Sequence, residues 1–295
     1  MALRDVPEPV PTPDQAVVAV RAFSLNRGEL QSIIRNGEGW IPGQDVAGTV
    51  LRAAENGDGP PAGSRVVALT DELGWAERVA VPSHRMAILP DSVSFAQAAT
   101  LPVAGLTALR ALRHGGALLG RRVLITGAAG GVGTLAVQMA AQSGADVTAV
   151  VGRPDRAAGL RALGAAEVVT GIENAQGRFW LVLESGGGES LVHAVRLVEP
   201  NGTVVVYGNS AAAPATLSFA DFRGAQNARI QSFFYFTSEA EERFAPDLAQ
   251  LVSLIASGRL TPVIGAERGW RDFAAAAEDL RARRIAGKAV FRVGD

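Results

Sequence analysis

The sequence predicts an α/β protein in which a β-rich lobe accompanies a domain built on a doubly wound parallel sheet. Residues 1 to about 100 hold short β-type runs separated by Gly, Pro, Asn and Asp, which form turns and avoid strand interiors. From 121 to about 237, uniformly apolar runs alternate with helical segments, as a parallel sheet covered on both faces requires. The chain has 295 residues, more than one small core needs, so we predict two domains, 1–100 with 261–295, and 101–260.

Composition and charge limit the classes of function. The net charge of −1 gives no basic surface for nucleic acid or for an anionic membrane. Cysteine is absent, which excludes disulfides, thiolate zinc sites and a cysteine nucleophile. The first 15 residues lack the apolar core of a signal peptide, and no apolar run reaches the roughly 20 residues of a spanning helix. We therefore expect a soluble, cytoplasmic protein that acts on a small molecule.

The predicted helices and strands follow from the spacing of apolar residues and from the turn residues between them. In the first lobe we expect strands at 16–23, 45–53, 64–69 and 76–82. Alanine-rich helical sequence, broken near Pro102, follows at about 94–116. In the second domain we expect strands at 122–127, 146–152, 166–170, 178–185, 202–208 and 228–236, with helices at 132–144, 156–164 and 189–198. Helices at 242–257 and 271–284 and a strand at 287–293 return the chain to the first lobe.

A glycine-rich loop, "LITGAAGGVG" at 124–133, joins the first strand of the second domain to its first helix. A buried strand, a loop of small residues and a helix present free backbone N–H groups and a helix dipole to a phosphate. Aligned on Gly133 the loop reads A-x-G-G-V-G, with Ala128 at the first fingerprint position. Gly130 would then allow close approach of a pyrophosphate, and Gly133 would allow tight packing of helix on strand.

The end of the second strand indicates which dinucleotide is bound. A site that prefers NAD usually places Asp or Glu about 20 residues after the loop, on the ribose 2′-hydroxyl. Here Arg153 stands at that point, with Arg156 close behind. An arginine fork suits the 2′-phosphate of NADP. The sequence therefore predicts NADPH as cofactor.

Several stretches along nearly the whole chain carry a family resemblance: "SLNRGEL" (24–30), "PGQDVAGTV" (42–50), "GWAERVAVP" (74–82), "LPVAGLTALRAL" (101–112), the glycine loop and "GKAVFRV" (287–293). Together they resemble the zinc-independent, quinone oxidoreductase-like branch of the medium-chain dehydrogenase/reductase superfamily. The resemblance implies a GroES-like catalytic domain, a Rossmann NADP-binding domain and a homodimer formed through the last sheet strand. The loop also resembles the short-chain dehydrogenase motif T-G-x-x-x-G-x-G, but neither Tyr207 nor Tyr235 starts the Tyr-x-x-x-Lys that family needs.

The resemblance assigns roles to particular residues. Asn26 would face the nicotinamide and the substrate, and is the candidate catalytic residue. Thr107 and Lys288 would lie near the cofactor, Ser185 and Gly208 would lie where it crosses the strand ends, and Phe233 and Phe234 would lie beside the carboxamide. The remaining cofactor-binding candidates are the loop residues Ala129, Gly130, Gly131 and Val132, followed by Gly152 and Arg153.

Zinc members of the superfamily carry a His-Glu pair where this chain has Gln44 and Asp45. The histidines His84, His114 and His193 lack ligand spacing, so we expect no catalytic metal. Hydride would then pass to an acceptor that is already electrophilic, a quinone or an α,β-unsaturated carbonyl.

Two alternative functions and one question of residue roles remain open at this point. The first alternative is an enoyl or polyketide-intermediate reductase, although the tyrosine acid that such enzymes often carry is missing from "IIRNGEGW". The second alternative is a non-catalytic NADPH-binding protein. Glu29 and Asp45 are either acid/base residues or structural hydrogen-bond acceptors.

Overall fold

The computed structural model describes residues 3–236 and 244–294. Helices and strands are numbered here in chain order. They are β1 (Gln15–Leu25), α1 (Arg27–Asn36), β2 (Asp45–Arg52), β3 (Arg65–Leu69), β4 (Arg78–Pro82), β5 (Met86–Ile88), α2 (Phe95–Ala98), α3 (Pro102–Arg113), β6 (Arg122–Thr126), α4 (Gly131–Gln142), β7 (Asp146–Val151), β8 (Glu167–Thr170), β9 (Phe179–Glu184), α5 (Glu189–Leu197), β10 (Val198–Val206), β11 (Arg229–Ser232), α6 (Phe244–Ala256), β12 (Ile264–Gly269), α7 (Phe273–Arg281) and β13 (Lys288–Arg292).

The chain divides into two compact units, 1–106 with 236–295, and 107–235. The first boundary falls inside α3, and α6 groups with the first unit through its packing on β5. The predicted division at 100 and 260 assigns α6 to the second domain instead. The predicted domain boundaries themselves stay a prediction.

The first unit is built on a mixed sheet in the order β12-β13-β1-β2-β3-β5, with β4 also paired to β1. Strand β1 alternates buried residues towards one core, in which aromatic rings stack. The ring of Phe23 lies 5.5 Å from Trp75 and 5.1 Å from Phe291, and Trp75 lies 4.6 Å from Phe273. Such offset and tilted pairs stabilise a core beyond the area they bury.

The second unit is built on a parallel sheet in the order β11-β10-β9-β6-β7-β8. Strands β6 and β9 are neighbours, so the strand order reverses between them. In open α/β sheets, ligands bind at the carboxyl ends of strands at such a point. The glycine loop leaves β6 at this position, which agrees with the predicted Rossmann topology.

One predicted helix does not form, and helix α1 was not predicted. The segment 156–164 forms turns rather than an α-helix, and Gly159 adopts φ +79°, a conformation that interrupts a helix. Helix α1 was not predicted, because "RGELQSII" is short and follows directly on a strand. The first two residues of the predicted helix 242–257 lie outside the described residues.

Candidate active site

The glycine loop runs from the end of β6 into α4 and presents backbone rather than side chains. The Ala128 N–H donates to the Val150 carbonyl at 3.1 Å, and the Gly130 N–H donates to the Gly127 carbonyl at 2.9 Å. Gly130 is the N-cap of α4 and supplies no side-chain cap. The first-turn N–H groups of a helix have no intrahelical partner, so this end of α4 is suited to an anion.

Gly133 is required by packing. A Cβ at Gly133 would lie 2.5 Å from the Gly127 oxygen and 2.6 Å from the Ala128 Cα. A Cβ at Gly130 would meet only the Gly127 oxygen, at 3.2 Å. The two glycines therefore have different roles, since Gly133 brings α4 close to the loop and Gly130 keeps the loop surface free of side chain.

Of the two arginines that follow β7, Arg156 contacts this loop. Arg156 donates from Nη2 to the Ala129 carbonyl at 3.1 Å. Burial, with the charge of Arg153 second, lowers the pKa of Arg156. The half-exposed guanidinium of Arg153 lies 3.1 Å from Asp155. The structure thus places Arg156 in direct contact with the glycine loop and Arg153 beside Asp155.

The carboxyl ends of three adjacent strands are tied together around Thr126. The Ser185 N–H donates to the Thr126 hydroxyl at 2.8 Å, and the Tyr207 hydroxyl donates to the Thr126 carbonyl at 3.3 Å. Burial raises the pKa of Tyr207 to about 12, so the phenol stays protonated at neutral pH. A Cβ at Gly208 would lie 3.3 Å from the Ser185 Cβ. Ser185 and Gly208, both expected where the cofactor crosses the strand ends, are therefore neighbours.

Glu184 is a residue that sequence reasoning missed. Its carboxylate is fully buried and accepts the N–H groups of Gly186 at 2.8 Å and Gly187 at 3.0 Å, together with the Ser190 hydroxyl at 2.6 Å. These bonds fix the turn between β9 and α5, and with it Ser185. The only available signal is an acid at the end of an apolar strand, which does not distinguish this role from a ligand contact.

A buried polar cluster in the first unit surrounds Asn26. Lys288 Nζ donates to Asp45 Oδ2 at 2.8 Å and to Asn26 Oδ1 at 2.6 Å, and Asn26 Nδ2 donates to Asp45 Oδ2 at 2.8 Å. The Ser24 hydroxyl donates to the same carboxylate oxygen at 2.5 Å, while the other oxygen accepts the Val103 N–H at 2.7 Å. Asn26, Asp45 and Lys288, which the sequence proposes from distant segments, are thus in direct contact.

Strand register explains this convergence. In the sheet Ser24 pairs with Asp45, and Leu25 pairs with Ala289, the residue after Lys288. The end of β1 and the starts of β2 and β13 therefore meet at one edge. Nothing in the pattern around Ser24 signals its role, since a serine in an apolar strand is compatible with ordinary alternation.

Glu29 lies beside this cluster at the start of α1. One carboxyl oxygen accepts the Asn26 N–H at 2.7 Å and the other accepts the Gln44 N–H at 2.9 Å. Burial, followed by the charge of Asp45, raises the pKa of Glu29 to about 8. Glu29 and Asp45 thus both act as hydrogen-bond acceptors in the fold, one of the two readings that the sequence left open.

The remaining candidates lie in the second unit. Thr107 is buried on α3. The Phe233 N–H donates to the Val206 carbonyl at 2.9 Å, and its ring meets the edge of His114. The Phe234 side chain is 57% exposed. Phe233 therefore continues the sheet through its backbone, and its N–H is already engaged.

Two family models match the chain in consecutive segments. Residues 12–102 match the alcohol dehydrogenase GroES-like domain, and residues 131–254 match the zinc-binding dehydrogenase domain. The chain belongs to the medium-chain dehydrogenase/reductase superfamily. Within the superfamily it lies in the quinone oxidoreductase-like branch, because relatives and solved structures of that kind align over nearly its whole length.

Two relatives and one structure illustrate the relationship. A quinone oxidoreductase of Lama guanicoe is 29% identical, covering 97% of this chain and 91% of that protein. The spectinabilin polyketide synthase system protein NorB of Streptomyces orinoci is 35% identical, covering 95% of this chain but 13% of that protein. The structure of the Coxiella burnetii quinone oxidoreductase superposes with a TM-score of 0.83 at 26% identity, covering 99% of this chain and 94% of the other. Across three relatives of 35–36% identity, the matched region spans 6–56% of the relative's length.

Two searches concern other kinds of site. Among residues 3–236 and 244–294, no three or more His, Cys, Asp or Glu side chains are grouped so that they could hold a metal ion. In the same described part of the chain, no helix combines the length and apolar character needed to cross a membrane.

Proposed function

We propose that this member of the superfamily is an NADPH-dependent, zinc-independent oxidoreductase whose hydride acceptor is a quinone or an α,β-unsaturated carbonyl. The observation that carries the proposal is the bare start of α4 at the switch point of the parallel sheet, with Arg156 hydrogen bonded to Ala129. The similarity to quinone oxidoreductases supports an oxidoreductase of this type.

The residues of the second unit fit a dinucleotide phosphate. The backbone of Ala129, Gly130, Gly131 and Val132 would hold the pyrophosphate, because a side chain at Gly130 would otherwise cover the approach. Arg153 and Arg156 would hold the 2′-phosphate with charge-assisted bonds. When bound, the reduced nicotinamide supplies the hydride.

In the first unit, the contacts of Asn26 suit it to stabilise a developing oxyanion. Lys288 and Asp45 fix the amide so that Oδ1 faces the ammonium and one Nδ2 hydrogen faces the carboxylate. The second Nδ2 hydrogen is available to a substrate oxygen, and Asn26 is partly exposed. A fixed donor in a site with little water lowers the barrier most where charge develops.

Asp45 is assigned here as a positioning residue rather than a metal ligand. Its oxygens accept bonds from the hydroxyl of Ser24, the amide of Asn26, the ammonium of Lys288 and the N–H of Val103. A carboxylate that holds four donors is already committed. This arrangement favours chemistry on an acceptor that needs no zinc to become electrophilic.

A second candidate function is reduction of a polyketide intermediate carried as an enoyl thioester. The similarity to the polyketide synthase protein over 95% of this chain favours it. Both candidates require the same cofactor and the same oxyanion donor, so they differ only in the acceptor.

The test is NADPH oxidation measured against a panel of quinones, enones and enoyl thioesters. We expect turnover on at least one quinone or enone, and a loss of about a hundredfold in kcat for Asn26→Ala. Asn36→Ala, at the exposed end of the same helix, is the matched control and should retain activity. Turnover on thioesters alone would select the second candidate. Tight NADPH binding without turnover would indicate a non-catalytic protein, and stoichiometric zinc would contradict the mechanism.

The cofactor preference has its own test. Replacing Arg153 with Ala should raise the Kd for NADPH by about tenfold and leave the Kd for NADH unchanged, because a charged hydrogen bond to phosphate is lost. Arg161→Ala, in the same connecting segment, is the control. Calorimetric titration of both cofactors measures the difference, and a wild-type preference for NADH would contradict the proposal.

A further inference from the structure

A cavity lies within the first unit, and its lining includes none of Asn26, Asp45 and Lys288. Its volume is about 1160 Å³, comparable to pockets that hold small organic ligands. Every residue that lines it belongs to the first unit, whereas the glycine loop belongs to the second. Its apolar wall is formed by Phe23, Ile33, Trp40, Trp75, Trp270 and Phe273.

This wall contains an unmet hydrogen-bond donor. Trp75 Nε1 is buried and has no acceptor within residues 3–236 and 244–294. By contrast, Trp40 Nε1 in the same wall donates to Glu72 at 2.5 Å. A buried donor without an acceptor costs free energy that a ligand oxygen can recover. The Trp75 nitrogen is itself closed off, so a ligand reaches it through side-chain adjustment in the wall, a common change on binding.

The charges around the cavity are nearly balanced. Three arginines stand against four carboxylates, and Arg78 is already paired with Glu8 at 2.5 Å. Arg4 donates to the Gly39 carbonyl at 2.7 Å, which ties the N-terminal segment to the loop after α1. Such a rim gives no net attraction to an anion or a cation, so it favours an uncharged ligand.

We infer that this aromatic cavity is a binding site for an uncharged aromatic molecule that carries a carbonyl oxygen. The rings stack on the ligand, and the carbonyl accepts the Trp75 N–H. The balanced rim discriminates against charged aromatics, which lose hydration on entry without gaining a partner.

Prodan, an uncharged naphthyl ketone whose emission moves to the blue in apolar surroundings, is the probe. Titration into the full chain should give saturable 1:1 binding, with quenching of tryptophan fluorescence, since three of the four tryptophans line the cavity. Ala274→Phe places a ring in the cavity from an exposed position and should weaken binding at least tenfold. Ala275→Phe, equally exposed on α7 but outside the lining, should leave binding unchanged.

The donor is tested separately. Trp75→Phe keeps a ring and removes the N–H, and should weaken Prodan binding about fivefold. N,N-dimethylnaphthylamine has the same ring system without the ketone, so it reports only on the shape of the apolar wall. We expect it to bind the wild type and Trp75→Phe equally. No saturable binding, or equal effects of Ala274→Phe and Ala275→Phe, would overturn the site. An unchanged Prodan affinity in Trp75→Phe would overturn the assigned carbonyl contact.

Discussion

At the scale of single residues, the first unit holds an ion pair that is removed from water. Lys288 and Asp45 are 4% and 0% exposed, so their attraction is weakly screened and each depends on the other. Asn26 lies between them and takes its orientation from both. The lone lysine of the chain donates to both Asn26 and Asp45, so its loss would disturb the orientation of Asn26 as well as the pair.

The ion pair predicts a particular pattern in a double-mutant cycle. Lys288→Met or Asp45→Asn alone should lower the free energy of unfolding by about 3 kcal/mol, because each leaves a buried group unpaired. The double variant should lose less than the sum, with a coupling of about 2 kcal/mol. Urea unfolding measures all three.

The control for this cycle is Arg292→Met, on the same strand. Its exposed pair with Glu267, at 3.7 Å, should contribute under about 1 kcal/mol. Strict additivity of the two buried substitutions would show that the pair is not coupled.

Glu29 predicts a pH dependence of stability. Its pKa is raised from 4.5 to about 8 in the folded chain, so the folded state holds the proton more tightly than the unfolded state. This group therefore stabilises the fold at low pH, and its contribution falls as pH rises from about 4.5 to 8. Glu29→Gln should flatten the dependence of unfolding free energy on pH across that window. Parallel curves for wild type and variant would contradict the assignment.

At the scale of elements, each site forms where an element begins or ends. The Asn26 cluster lies at the end of β1 and the starts of β2, β13 and α3. The glycine loop, which is the candidate phosphate site, lies between β6 and α4. Peptide groups at such ends have open hydrogen-bonding capacity, which explains why polar side chains and candidate ligands gather there.

Gly133 tests the packing of α4 on its loop. Gly133→Ala should destabilise the chain by about 2 kcal/mol and weaken NADPH binding, because its Cβ would meet backbone atoms that cannot move independently. Gly269→Ala, where a Cβ meets nothing within 4 Å, is the control and should be nearly neutral. Thermal unfolding with and without NADPH separates the two effects. Unchanged stability in Gly133→Ala would show that α4 can shift.

At the scale of the whole molecule, β11 is an edge of the parallel sheet and all four of its residues are exposed. Exposed edges pair readily with other strands. We propose that two copies associate through β11, as the family resemblance implies. Ile230, 42% exposed at this edge, would lie in that interface.

The association predicts a change of mass. Ile230→Lys should convert a dimer to a monomer by light scattering after size exclusion, because a buried charge would face its own copy. Ile88→Lys, an exposed substitution on β5 in the other unit, is the control. A monomeric wild type would contradict the proposal.

Most strands, their succession along the chain, the glycine loop and the family resemblance were predictable from the sequence, whereas the short strand β5 and the strand β12 were not predicted. The spacing of apolar residues at periods of 2 and 3.6 and the positions of turn residues are local properties of the sequence. The glycines of 127–133 indicate a phosphate loop because they lack side chains. The segment 156–164 was misassigned, because its alanines and leucines favour a helix locally while Gly159 adopts positive φ. It is a case in which local propensity and backbone geometry conflict.

Which residues lie together depends on the tertiary structure. Asp45 and Lys288 are 243 positions apart, and the register that brings them together depends on pairings of β1 with both β2 and β13. The same applies to Arg156 on the loop, to buried Glu184 and to the cavity beside Trp75. A sequence states which groups are present, but the burial, hydrogen-bond partners and pKa of each group depend on its spatial neighbours. Those neighbours are set by how the strands pair in each sheet.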